Sequence, residues 1–178
     1  TLTIARKQIA VPTAITGLVY NGSVQTGVNT GAKSSALYNP DTKSFLYQSN
    51  ASMRLPMAST TKIFTALTVI ENCPNLEEKV FVDDRAVGIE GTSIYLRKGE
   101  VLTVKELLLG MMLPSGNDAA TALAYHVSDD IDAFCDLMQK TCQKYGAKNS
   151  SFKNPHGLDQ NGHYTTAYDL ALISSKAL

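Results

Sequence analysis

Tryptophan is absent from this chain of 178 residues, and cysteine is scarce, with three in all. Cys73, Cys135 and Cys142 cannot all pair with one another, and their spacing fits no zinc template. Cys135 and Cys142 stand two turns apart on one helical face, where packed thiols are expected rather than a disulfide. Net charge is missing too: 16 Lys and Arg balance 16 Asp and Glu. This balance excludes the electrostatic footprint of a nucleic-acid binder or a polybasic membrane-surface protein. The longest strongly apolar run, Leu107 to Leu113, falls far short of the roughly 20 residues a membrane helix needs. No transmembrane span is expected. No apolar stretch follows Arg6-Lys7, so the start does not read as a signal peptide. With no initial Met, the chain reads as a processed or excised piece.

What is present is core material. Hydrophobic residues make up 44% and charged residues 18%, which fits a folded domain and argues against disorder. Residues 1–30 stand apart, with no acid and many Thr, Val, Ile and Gly; Leu18 to Thr26, turning at Asn21-Gly22, predicts a hairpin. The stretch Ile9 to Val28 resembles a junction between small immunoglobulin-like repeats of bacterial surface proteins. Residues 1–30 are therefore expected to be a β-rich leader or a partial repeat of that kind.

From Ala32 onward the pattern changes. Ser35 to Tyr38 and Ser44 to Tyr47 predict strands joined at Asn39-Pro40-Asp41. Met57 to Glu71 predicts a helix with Ile63, Ala66, Leu67 and Ile70 on its apolar face. Thr103-x-x-Glu106 is a capping-box signature for a helix ending near Leu113, whose Met111 and Met112 are expected in the core. Asp118 is expected to open a helix running through Val127. Asp129-Asp130 begins another, with Ile131, Phe134, Met138 and Tyr145 inward and Gly146 as its stop. Asn154 to Gly162 predicts a loop, and Thr165 or Thr166 caps a last helix.

Two short strings carry chemistry. In Ser59-Thr60-Thr61-Lys62 the i, i+3 spacing sets serine and lysine on one helical face. A serine hydroxyl needs a neighbouring base, and a buried, neutral amine can supply one. A serine at a helix start also presents its backbone N–H to an oxyanion. In Ser115-Gly116-Asn117 a sharp turn between two helices can hold a hydroxyl and a carboxamide toward a cleft. Each string alone fits a plain helix cap better than a site. Other strings carry less. Gly27 to Ser34 approaches a P-loop, but Ala32 replaces a required glycine. His126, His156 and His163 lack metal-ligand spacing and are expected to be packing or loop residues. Asp83-Asp84 and Asp129-Asp130 read as turn and cap acids.

Together, S-x-x-K and S-x-N in this order resemble the signatures of the penicillin-recognising serine enzymes. Pro56 to Lys62, Gly91 to Leu96, Leu113 to Ala120, Phe152 to Leu158 and Tyr164 to Leu170 are similar, in order, to segments of serine D-alanyl-D-alanine carboxypeptidases of the low-molecular-weight penicillin-binding class. The resemblance implies an α+β fold, β-lactamase/DD-peptidase-like, with a helical subdomain against an antiparallel sheet and the active site between them. Residues 31–178 would be the N-terminal part of such a catalytic domain. Carried over, Ser59 is the acylated nucleophile and Lys62 its base; Ser115 relays the proton, and Asn117 positions substrate and lysine. No cofactor and no metal are implied. The implied partners are peptidoglycan stem peptides and β-lactams, met outside the cytoplasm.

One departure stands out: the Lys-Thr-Gly triplet of these enzymes occurs nowhere in the 178 residues. The expectation is a chain truncated before that strand, with the fold incomplete at its C-terminus. A D,D-endopeptidase and a serine β-lactamase are the neighbouring enzyme readings, the latter disfavoured by Gly116 where Ser-Asp-Asn is usual. A non-catalytic cell-wall-binding module is the alternative of another class.

Overall fold

The structure is a computed structural model that describes residues 31–177. The hairpin expected at Leu18 to Thr26, the immunoglobulin-like resemblance and the first half of the P-loop-like string lie outside the described residues. Strands β1 (Ser35–Asn39) and β2 (Ser44–Ser49) form an antiparallel pair whose register slips between Leu37 and Tyr38. The pair docks through Phe45, which stacks on Tyr168 with ring centroids 4.2 Å apart. Strands β3 (Lys79–Phe81) and β4 (Val101–Thr103) make a second, shorter antiparallel pair.

Five helices carry the core: α1 (Thr61–Asn72), α2 (Val104–Met112), α3 (Asn117–Val127), α4 (Ile131–Lys144) and α5 (Ala167–Ala177). Helix α1 touches the other four. Its Phe64 and Val69 pack in one cluster with Leu107, Met111, Leu123, Phe134, Met138 and Ile173. The caps follow the sequence. Thr103 and Glu106 close a reciprocal capping box on α2, and Asp130 caps α4 through the Ala133 N–H at 2.7 Å. Thr166 caps α5 through the Asp169 N–H at 3.1 Å. All three cysteines are buried and free, and burial pushes the Cys135 and Cys142 thiols up to about 12.

Several expectations are corrected. The helix expected from Met57 is broken: Ala58–Thr60 is a 3-10 turn, and the α-helix starts only at Thr61. Ala58 holds φ at +45°, a left-handed value that no regular helix contains. Ile70 is 45% exposed, whereas the polar Thr61, Lys62, Thr65 and Thr68 are buried. A helix covered on most sides has no single apolar stripe, so periodicity mislocates its core face. Met111 is in the core as expected, but Met112 is 46% exposed. Helix α3 starts one residue earlier than expected, at Asn117.

Candidate active site

The turn before α1 presents the serine. Thr60 Oγ1 donates to the Met57 carbonyl (2.6 Å) and Thr61 Oγ1 to the Ala58 carbonyl (2.8 Å), so of the three hydroxyls only that of the exposed Ser59 is not tied to a backbone carbonyl of the turn. One turn on, Lys62 is 2% exposed. Its Nζ lies 3.2 Å from Ser59 Oγ, 2.7 Å from Asn117 Oδ1 and 2.9 Å from the His156 carbonyl oxygen. All three are uncharged oxygens. Burial without a carboxylate lowers the Lys62 pKa from 10.5 to about 8.

The geometry selects a direction for the lone pair. A neutral amine has two hydrogens and one lone pair. Asn117 Oδ1 and the His156 carbonyl can only accept, so they take the hydrogens. The lone pair is left for the Ser59 hydroxyl, the one neighbour that can donate. The arrangement can therefore draw a proton from Ser59 Oγ.

Asn117 stands at the first turn of α3 and is buried. Its Nδ2 donates to the Glu90 carbonyl (2.7 Å), which fixes Oδ1 toward the lysine. The loop before α2 approaches so closely that a Cβ on Gly91 would stand 2.6 Å from Asn117 Nδ2. Both ends of the carboxamide are thus engaged by the chain itself. Ser115 occupies the turn before α3 with φ at +66° and is half-buried. No hydrogen bond joins its hydroxyl to Lys62 or Ser59 among the described residues. The structure therefore groups Ser59, Lys62 and Asn117 by hydrogen bonds and does not bring Ser115 into that set.

Sequence reasoning missed several groups. Asp118, read as a helix opener, is 1% exposed. Its carboxylate accepts from Ser93 Oγ (2.6 Å), Ala119 N (2.9 Å), Ile94 N (3.0 Å) and Leu96 N (3.0 Å). Burial would raise its pKa, but these donors outweigh it and hold the carboxyl below its ordinary value. Asp118 thereby ties the loop at 93–96 to the end of α3 that carries Asn117. The loop 154–158 is likewise built by one side chain. Asn154 Oδ1 accepts from Gly157 N (2.6 Å) and His156 N (3.3 Å), while its Nδ2 donates to Leu158 O (2.9 Å). An Asn before Pro-His-Gly is a turn signal, and it could have marked this loop as ordered. His156, read as a loop residue, brings its carbonyl to Lys62; burial and the nearby lysine charge lower its ring pKa to about 4. His163 is buried, where its Nε2 lies 2.9 Å from Thr61 Oγ1. His126 lies apart from the site, 3.4 Å from Glu78. Among the described residues no group of three or more His, Cys, Asp or Glu could hold a metal ion.

A serine in the turn that enters a central helix, a buried lysine in that helix's first turn and an asparagine at the start of α3 form an arrangement that can activate a hydroxyl for acyl transfer. Comparison with known proteins makes this specific. The family profile described as D-alanyl-D-alanine carboxypeptidase, peptidase S11, matches residues 21–178. The chain belongs to that family. It is 41% identical over 151 residues to D-alanyl-D-alanine carboxypeptidase DacF of Bacillus subtilis, covering 83% of this chain and 39% of the relative. DacC of Escherichia coli is 37% identical over 143 residues, covering 75% of this chain and 36% of the relative. Among solved structures, DacD from Francisella tularensis superposes with a TM-score of 0.81 at 29% identity, over 97% of this chain and 40% of that one. Penicillin binding protein 5 from Haemophilus influenzae gives 0.75 at 30% identity, over 81% and 44%. The chain thus spans about two fifths of the length of the relatives it matches. Its α+β architecture is that of the DD-peptidases.

Proposed function

We propose that these residues form the nucleophile-bearing part of a serine D-alanyl-D-alanine carboxypeptidase that trims peptidoglycan stem peptides. The observation that carries the reading is the buried Lys62 amine, whose two fixed acceptors leave its lone pair for Ser59. Ser59 Oγ attacks the carbonyl carbon of the penultimate D-alanine as its proton passes to Lys62 Nζ. The peptide C–N bond then breaks, the leaving D-alanine takes up the proton, and Ser59 holds the acyl group as an ester. Water hydrolyses the ester and returns the hydroxyl. Ser115 relays the proton to the leaving amine in this reading, and Asn117 positions the lysine. The Ser59 N–H is one donor to the oxyanion. A penicillin acylates the same oxygen, with its leaving nitrogen still tethered after ring opening.

The substrate places the reaction outside the cytoplasm. No helix among the described residues is long and apolar enough to cross a membrane. Residues 31–178 are the N-terminal part of the catalytic domain in this reading, and residues 1–30 a β-rich leader or partial immunoglobulin-like repeat.

Intact-mass analysis after incubation with benzylpenicillin tests it. The expected result is one adduct, mapped to Ser59 and lost in Ser59→Ala. Failure to form any adduct, in this chain and in a longer one carrying a Lys-Thr-Gly strand, overturns the reading.

A further inference from the structure

His163 sits 102 residues downstream of Thr61 in the chain, yet the two side chains meet in the interior. The ring's other nitrogen settles its tautomer. The backbone N–H of Lys153 donates to His163 Nδ1 at 3.0 Å, so Nδ1 is an acceptor and the ring proton resides on Nε2. Nε2–H therefore donates to Thr61 Oγ1 (2.9 Å), and the threonine hydroxyl donates onward to the Ala58 carbonyl oxygen (2.8 Å). Burial lowers the His163 pKa, against the opposing pull of Asp159, a shift in the direction that favours the neutral ring.

The end of this chain of donors is significant because of what shares its peptide unit. The Ala58 carbonyl and the Ser59 N–H belong to one planar amide and point in opposite directions across it. Fixing the carbonyl fixes the N–H. Ala58 itself offers no help, since its φ of +45° is a sparsely populated conformation for a residue with a Cβ. Gly157 approaches the same carbonyl so closely that a Cβ there would stand 1.9 Å from Ala58 O. The Ser59 N–H has no partner of its own among the described residues.

We infer that His163 is a positioning residue: through Thr61 it locks the Ala58–Ser59 peptide so that the Ser59 N–H faces the oxyanion. This rests on the acyl-transfer reading of the site. His163 touches neither substrate nor nucleophile, and its effect is confined to the orientation of one amide.

Two substitutions separate the ring's two contacts. In His163→Asn the side-chain oxygen can take the place of Nδ1 and keep the Lys153 acceptor, but nothing reaches Thr61. In His163→Gln the longer amide places an N–H donor near the Nε2 position. Acylation by benzylpenicillin, followed in the full-length protein as k2/K, is expected to fall about 10- to 100-fold in His163→Asn. His163→Gln is expected to recover to within about threefold of the parent. Thr61→Val should match the asparagine variant. The Ser59 amide resonance in a 1H–15N correlation spectrum should shift in His163→Asn and return in His163→Gln. This readout does not depend on activity. Equal rates and an unmoved Ser59 amide in the asparagine variant overturn the inference, as does an equal loss in both variants. A parent protein that shows the amide shifts but no Ser59 adduct leaves the relay standing and overturns the acyl-transfer reading instead.

Discussion

The most exposed consequence of the site is how its acylation varies with pH. Lys62 can take the Ser59 proton only when neutral, and burial lowers its pKa from 10.5 to about 8. At pH 7 about one lysine in ten is then neutral, against about 3 in 10,000 for an unperturbed side chain. The fold thus supplies about 300-fold in active base at neutral pH, before any contribution from positioning. The rate of acylation by a chromogenic cephalosporin should rise about tenfold per pH unit below 8 and level off above it. Stopped-flow measurement of k2/K between pH 5.5 and 9.5 would show this. A profile that is flat across the range, or one still climbing at 9.5, would refute the assignment of Lys62 as the base.

The same shift has a thermodynamic counterpart. The folded-state pKa of Lys62 lies below the unfolded one, so between pH 8 and 10.5 the unfolded chain binds more protons. Stability contributed by this group therefore rises with pH across that window. Below pH 8 the folded state carries the full penalty of about 3 kcal/mol. The activity comes at the expense of stability, as expected where a buried base is kept neutral.

Further perturbations follow from the same geometry. Ser59→Ala removes an exposed hydroxyl, so the β-lactam adduct should vanish while Tm stays within about 2 °C; a large loss of Tm would mean Ser59 has a structural role. Gly157→Ala drives a methyl to 1.9 Å from Ala58 O and 2.8 Å from Thr61 Oγ1, and the residue holds φ at +96°. The loop must retreat and take the His156 carbonyl from Lys62, so both acylation and stability should fall, with Tm lower by roughly 5–15 °C. An unchanged k2/K in this variant would show that the loop does not orient the lysine. Asp118→Ala strips four donors of their acceptor and should cost about 3 kcal/mol, read by chemical denaturation. Hydrogen exchange at the Ile94 and Leu96 amides should accelerate at the same time, and unaltered protection there would count against the tether.

What the sequence announced and what it concealed divide along physical lines. The serine and lysine were legible because their contact is local: residues i and i+3 meet across the turn that enters α1 as they would along a helix, with no knowledge of the rest of the fold. The capping box at Thr103 and Glu106 was legible for the same reason. Asn117 was legible as a candidate from its turn, but its pairing with Lys62 rested on the resemblance, since the two lie 55 residues apart. The second acceptor for Lys62 is a backbone carbonyl, which every residue possesses, so no residue type could betray it. His163 was hidden because a buried histidine bonded to a backbone amide and a threonine leaves no spacing pattern. The break at Ala58 was hidden because the sequence around it favours helix, and only tertiary contact holds its left-handed φ. Ile70 and Met112 erred in the opposite sense: apolar residues at helical spacing that stay half-exposed.

These concealed contacts share a location. Lys62 donates to the His156 carbonyl, and Thr65 donates to the Pro155 carbonyl at 2.6 Å. Thr61, through Ala58, meets Gly157. Three side chains from the first turns of α1 thus engage successive residues of one loop, and Asn154 folds that loop so that its carbonyls face the helix. Buried hydroxyls and amines are costly unless paired, so neither the polar end of α1 nor the loop is stable in this form without the other. The lysine is one member of that set, which is why its position cannot be tuned separately from the packing of the loop. Any change that loosens 154–157 should then register first at the base, as a rise in the Lys62 pKa toward 10.5 as water enters, and only later as global unfolding.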